Sequence, residues 1–360
     1  MRRIAVLMFL AAVVIPGSAA ASNANMASRS GCESGSSARL TRIEKLADGG
    51  RIYHYDLDGD TAVPVPPRTF DPLAATDAAL ATYGFPPRPE SGVDRATWDA
   101  DMAAWKPTPH RGLCRSSAQF GGSGSVPSAY AGSYPARTTR EVPWSGYIAT
   151  EAADTYIAVQ GDYVQKAFGA TPASCTDPQM AAWVGLGGWG VYSLIQLGTT
   201  MKKVNGVAKY FAWYEYLAEN HANPPVVLPD VDVNPGDRIH LYTVFQRSTG
   251  QTTFYVADNT SQTSQSVIKT IASYYYNGQF AEHIAESPTG SKLANFGALS
   301  WTNAKVQLLS GAWVTLGSTT PLEVKSKDYY DEGPYDYHFT ADPDPMSSST
   351  SFTDRWLRCE

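Results

Sequence analysis

Charge is scarce in this chain. Asp, Glu, Lys and Arg make up 17% of its 360 residues, the formal net charge is only -6, and a soluble protein typically carries about 25% charged residues. Without a basic stripe the sequence offers nothing for a nucleic-acid backbone to bind, so no nucleic-acid partner is expected. Low charge also limits the self-repulsion that builds up when carboxylates protonate, which suits an acidic medium. Cysteine is scarce too. Cys32, Cys114, Cys175 and Cys359 lie far apart with no CxxC pair, an arrangement that argues against a zinc cluster and for disulfides in an oxidising compartment. Three pairings are possible and the sequence does not choose among them, although Cys32 and Cys114 share the N-terminal region. The six histidines show no ligand spacing, and no metal or other cofactor is expected.

Familiar catalytic signatures are missing as well. No Asp-Thr-Gly or Asp-Ser-Gly occurs, which speaks against a pepsin-like pair of aspartates. The lack of HExxH removes a zincin, and the lack of G-x-S-x-G removes the usual serine hydrolase elbow. Asp56-Leu57-Asp58-Gly59-Asp60 begins like a calcium loop, but its twelfth position is Pro67 instead of a bidentate Glu, so an acidic turn is the simpler reading.

Long apolar runs are confined to the N-terminus. Arg2 and Arg3, the apolar stretch Ile4 to Ile15 and the small residues Gly17 to Ala21 form the pattern of a cleavable secretory leader, residues 1–21. That run is too short for a membrane span. A secreted protein, extracellular or periplasmic, is expected, with no membrane contact after leader removal.

Residues 22–140 are rich in Pro, Gly, Ser and Ala, with Pro64-Val65-Pro66-Pro67 and Phe85-Pro86-Pro87-Arg88-Pro89 as stiff extended stretches and Gly121 to Ser133 as a linker. Short helices are expected over Asp77 to Thr82 and Ala96 to Trp105. This part reads as a pro-segment or an N-terminal extension, weakly structured by itself, that packs along the main domain.

Beyond Arg140 the pattern is β. The clearest hairpin follows Asn234-Pro235-Gly236-Asp237, runs from Arg238 to Gln246, turns at Ser248-Thr249-Gly250 and returns from Gln251 to Ala257. Further strands are expected at Gly146 to Thr150, Thr155 to Tyr163, Ala181 to Leu186, Tyr192 to Leu197, Lys209 to Leu217, Ser266 to Tyr276, Ala281 to Glu286, Leu293 to Trp301 and Lys305 to Leu309, with a last one near Ser351 to Thr353. Many short strands without a long amphipathic helix imply an all-β sandwich or barrel for residues 141–360.

Two of these strands carry unexpected polar groups. Leu194-Ile195-Gln196-Leu197-Gly198 and Ala281-Glu282-His283-Ile284-Ala285-Glu286 are otherwise apolar, and alternation puts Glu282 and Glu286 on one face. Together with Trp183-Val184-Gly185-Leu186-Gly187-Gly188 and Phe211-Ala212-Trp213-Tyr214-Glu215-Tyr216, they resemble in order and spacing the glutamic peptidases, the eqolisin or G1 family, of peptidase A4 type. The likeness runs from about Trp144 to at least Trp301. It implies a concanavalin-like jelly-roll sandwich of two antiparallel sheets with the site on a concave face, and a secreted acid endopeptidase acting on polypeptides, taken as a monomer. Gln196 falls on the family's catalytic glutamine and Glu286 on its catalytic glutamate, with Glu282 a neighbour of unassigned role. Trp183, Trp213 and Tyr214 would wall the pair, and Glu215 matches another acidic position near the family's site. Where the family usually has an acidic residue after its Trp-Val-Gly, this chain has Gly187 and Gly188.

Amide hydrolysis needs a base for water, a donor for the oxyanion and an acid for the leaving nitrogen. A carboxyl and a carboxamide can supply all three. Taken singly, each residue has a plainer reading: Gln196 as a buried amide, Glu286 as a solvated strand end before Ser287-Pro288, and both tryptophans as sandwich core. Two rival functions remain at this level. Glu282 and Glu286 could be the carboxylates of a jelly-roll glycoside hydrolase, although Ile284 stands where such enzymes place an Asp. Exposed aromatics including Tyr274-Tyr275-Tyr276 could instead serve a non-catalytic glycan- or peptide-binding sandwich.

Overall fold

A computed structural model of the chain describes residues 37–116, 141–189, 193–218, 221–271, 276–288, 291–327 and 339–359. The expected leader, Cys32, the Gly121 to Ser133 linker and Tyr274-Tyr275 lie outside the described residues.

The strands in chain order are β1 (Arg39–Lys45), β2 (Arg51–Asp56), β3 (Asp60–Val65), β4 (Cys114–Arg115), β5 (Glu141–Val142), β6 (Trp144–Thr150), β7 (Tyr156–Val164), β8 (Gln179–Gly187), β9 (Leu194–Val204), β10 (Val207–Ala218) and β11 (His221–Ala222). They continue with β12 (Val226–Val227), β13 (Arg238–Gln246), β14 (Gln251–Asp258), β15 (Thr263–Thr270), β16 (Phe280–Glu286), β17 (Ala298–Leu308), β18 (Trp313–Thr315), β19 (Leu322–Lys327), β20 (Phe339–Pro343) and β21 (Phe352–Trp356). Two helices, α1 (Asp77–Thr82) and α2 (Gly92–Ala104), lie between β3 and β4.

Pairing resolves these strands into a sandwich of two sheets, antiparallel apart from the short β5–β19 contact. The first sheet runs β19–β6–β16–β8–β9–β10–β12–β4. The second runs β1–β2–β3–β15–β14–β13–β7–β17–β21–β20–β19. Strand β19 belongs to both, so the chain crosses between the sheets there. Alternation then decides what each face buries. Val184, Leu186, Leu197 and Tyr214 of the first sheet meet Val159, Leu241, Phe254 and Trp301 of the second in the main core. The opposite face of the first sheet carries its own cluster, with Trp144, Trp183, Trp213 and Ile284. On the outer face of the second sheet, Leu80 and Tyr83 at α1 and Trp98 and Met102 of α2 cover Ala158, Tyr242 and Tyr255.

The expected hairpin and both helices are present, α1 with the expected limits. Three differences have physical causes. Strand β9 extends to Val204 because Thr199, Thr200 and Lys202 carry it onward without the apolar pattern that marks a strand. The two strands expected over Leu293 to Trp301 and Lys305 to Leu309 form a single β17, in which the register with β7 shifts between Thr302 and Lys305 around Asn303 at φ 52; a bulge breaks alternation as a turn would. Residues 39–65, read as part of a weakly structured segment, form a three-stranded meander that joins the second sheet through β3 and β15. Strand β1 is exposed along its whole length, so it has no apolar face to be recognised by. The buried Lys269 fastens the meander, donating from Nζ to the carbonyls of Leu57 at 2.6 Å and Asp58 at 3.1 Å. The acidic run Asp56 to Asp60 is the β2–β3 turn, with Arg39 on Asp56 and Arg115 on Asp58.

A disulfide joins Cys175 to Cys359, 184 residues apart in the chain, with Cα atoms 6.1 Å apart. Cys114 is also disulfide-bonded.

Candidate active site

The four central strands of the first sheet place the polar residues by register alone. Glu282 on β16 lies opposite Gly185 on β8, Gly185 opposite Gln196 on β9, and Gln196 opposite Glu215 on β10. The next row on the same face holds Ile284, Trp183, Gly198 and Trp213, and the row after it Glu286, Ala181, Thr200 and Phe211. Gln196, Glu215, Glu282, Glu286, Trp183 and Trp213 therefore share one face. Tyr214 does not. Its ring points between the sheets and stacks on Phe254 with centroids 4.6 Å apart, because adjacent residues of a strand face opposite ways.

Hydrogen bonds tie the face together. Gln196 Nε2 donates to Glu215 Oε2 at 2.6 Å, and Trp183 Nε1 donates to Glu286 Oε2 at 2.8 Å. Trp144 meets the Trp183 ring edge-on at 5.0 Å between centroids. Gln196, Glu282, Glu286, Trp183 and Trp213 are each 0% exposed and Glu215 3%, so this is a desolvated site. Burial pushes the Glu215 carboxyl well above the usual carboxylate range, and the negative charge of Glu286 pushes it further, against the pull of the Gln196 hydrogen bond. Glu215 is thus a neutral acid in mildly acidic solution, able to hold the Gln196 amide without competing for charge with Glu286.

Glycine shapes the floor. A Cβ on Gly185 would lie 2.7 Å from Trp183 Cζ3, and one on Gly198 2.6 Å from Trp183 Cβ, so Trp183 keeps its place only because both neighbours lack side chains. Gly187, at φ +95, would bring a Cβ to 2.2 Å from the Ser193 carbonyl oxygen. The end of β8 therefore has no room for the acidic residue the resemblance leads one to expect there.

Two residues of this face escape a motif-based reading. Thr200 and Lys202 follow Gln196 at even spacing on β9. The Thr200 hydroxyl is buried without a hydrogen-bond partner among the described residues. Lys202 Nζ sits 5.3 Å from the Phe211 ring centroid, and burial lowers its pKa. Their signal was the i, i+2 rule counted from Gln196. Among the described residues no group of three His, Cys, Asp or Glu side chains could hold a metal ion, and no helix is long and apolar enough to cross a membrane.

Comparison with known proteins follows from this geometry. Among solved structures, a scytalido-glutamic peptidase bound to a peptide-based transition state analog is similar at 20% identity and TM-score 0.46, with 60% of this chain and 99% of that chain covered. SCP-B, a member of the eqolisin family of peptidases in complex with the tripeptide Ala-Ile-His, is similar at 19% identity and TM-score 0.45, with 60% and 99% covered. Aspergilloglutamic peptidase from Aspergillus niger gives 20% identity and TM-score 0.39, with 50% and 100% covered. No curated protein matches the sequence. The model of the Peptidase A4 family matches residues 142–332. That match takes in β6 to β19, more than half of the chain and every strand of the polar face, and the chain belongs to the Peptidase A4 family of peptide-bond hydrolases.

Proposed function

We propose that this peptidase hydrolyses polypeptides with Glu286 as general base and acid and Gln196 as oxyanion donor. The observation that carries the reading is that two held groups share one dry sheet face: Glu286 fixed by the Trp183 N–H and Gln196 fixed by Glu215. Ionised Glu286 takes a proton from water as the water oxygen attacks the scissile carbonyl carbon. The carboxamide has two N–H donors, of which one is engaged by Glu215 and the other serves the oxyanion. Protonated Glu286 then passes its proton to the leaving nitrogen as the C–N bond breaks. Operation in an acidic medium is part of the same proposal, and the low charge of the chain suits it.

Export belongs to the same reading. Residues 1–21 act as a secretory leader, residues 22–140 as an N-terminal extension or pro-segment and residues 141–360 as the peptidase sandwich. The disulfide supports an oxidising destination. The test incubates the exported protein with denatured protein between pH 2 and 7, alongside Glu286→Gln and Gln196→Ala. Acid proteolysis that Glu286→Gln abolishes, that Gln196→Ala strongly reduces and that chelators leave untouched is the expected result. Full cleavage by Glu286→Gln would remove Glu286 from the mechanism.

A further inference from the structure

The catalytic scheme leaves Glu282 without a task. Its side chain is fully buried, yet neither carboxyl oxygen has a hydrogen-bond partner among the described residues. An unmet buried polar group costs about 1–3 kcal/mol, so such a residue calls for a reason. Burial alone pushes the carboxyl well above the usual range, which makes it a neutral acid with one O–H donor and one carbonyl acceptor.

Its neighbours suggest what completes it. Glu282 and Gln196 flank Gly185 in one register row, about 10 Å apart at Cα for strands two places removed, with the Trp183 ring lying where a Gly185 side chain would stand. The Trp183 ring closes the floor at Gly185 and presents its N–H to Glu286. Gln196 Oε1 also lacks a hydrogen-bond partner. A neutral acid on one side and a carbonyl acceptor on the other complement a peptide group, which offers one C=O and one N–H.

We propose that Glu282 is a substrate-binding residue whose carboxyl hydrogen-bonds a main-chain peptide group of the polypeptide beside the scissile bond. This rests on the catalytic reading of Gln196 and Glu286 above. Glu282 supplies binding that is equal in the ground and transition states, so its loss appears in KM and leaves kcat in place.

Steady-state kinetics on a fluorogenic peptide at acidic pH test it, with unsubstituted enzyme, Glu282→Gln, Glu282→Leu, Glu282→Ala and Glu286→Gln. Glu282→Gln keeps a donor and an acceptor and stays within about threefold of the parent in kcat/KM. Glu282→Leu raises KM about tenfold, keeps kcat within about threefold and does not lower Tm, since it removes an unmet polar group. Glu282→Ala gives the same KM rise and decides the matter where Leu crowds the strand. Unchanged KM in both Leu and Ala variants overturns the proposal, as does an equal loss of kcat and Tm in the Gln and Leu variants, the mark of a purely structural residue. An inactive parent overturns the catalytic reading and this inference together. An active parent, an inactive Glu286→Gln and parent-like KM in both Glu282→Leu and Glu282→Ala overturn this inference alone.

Discussion

The carboxyl of Glu286 and the carboxamide of Gln196 are held by different partners on one sheet face. Glu286 receives an indole N–H, while Gln196 is held by Glu215, whose carboxyl is pushed well above the usual range by burial and by the Glu286 charge. Glu286→Gln should lower kcat/KM on denatured protein by about a thousandfold or more, within the range for loss of a general base. Gln196→Ala should lower it by about 10²–10³-fold, as for loss of one oxyanion donor. Gly187→Asp tests the other side of the argument. Restoring an acid there forces a side chain onto a left-handed backbone and into the Ser193 carbonyl, so a loss of about 2 kcal/mol or more in chemical unfolding is expected, without a gain in activity.

Among the elements, β16 shows how one strand serves two purposes. Its even positions Glu282, Ile284 and Glu286 face the site, while Ala281, His283 and Ala285 face the core. His283 Nε2 donates to the Gln160 carbonyl of β7 at 2.7 Å, and burial lowers its pKa to about 4. The stability this neutral imidazole contributes is present above the ordinary His value and is lost as pH falls through about 4. Strand β21 contributes the opposite trend. Asp354 is fully buried, accepts from Ser145 Oγ at 2.7 Å, and burial raises its pKa from 3.8 to about 8. The folded state therefore keeps a proton that the unfolded chain releases, so this stability is present below pH 4 and is lost as pH rises toward 8. The slope is up to about 1.4 kcal/mol per pH unit. Asp354→Asn should remove it, raising Tm near pH 7 relative to the parent and leaving Tm near pH 4 almost unchanged. A parent and variant whose Tm difference does not depend on pH would contradict the assignment.

At the level of the whole molecule, residues 37–116 are stitched to the sandwich at several separate places. Strand β3 extends the second sheet, the helices cover its outer face, His110 and Arg111 meet Asp230 and Asp232, and β4 extends the first sheet beside β12. Cys114 reaches the tryptophan cluster of the site face. The Cys175–Cys359 bond closes a long loop onto the C-terminal end, and its removal by Cys359→Ser should cost about 2–5 kcal/mol in denaturant unfolding without altering the pH profile of cleavage.

The sequence by itself determined the all-β class, the central hairpin, both helices and the identity of the polar residues on two apolar strands, because alternation and turn chemistry are local properties written in consecutive residues. It could not reveal β1, whose side chains all meet solvent, or the bulge in β17, or the cystine pairing, which are decided between distant segments. Only the tertiary structure brought Gln196, Glu215 and Glu286 to one face and turned Tyr214 away from them. Register across β16, β8, β9 and β10 sets those neighbours, and register depends on pairing strands up to about a hundred residues apart, which no local pattern encodes.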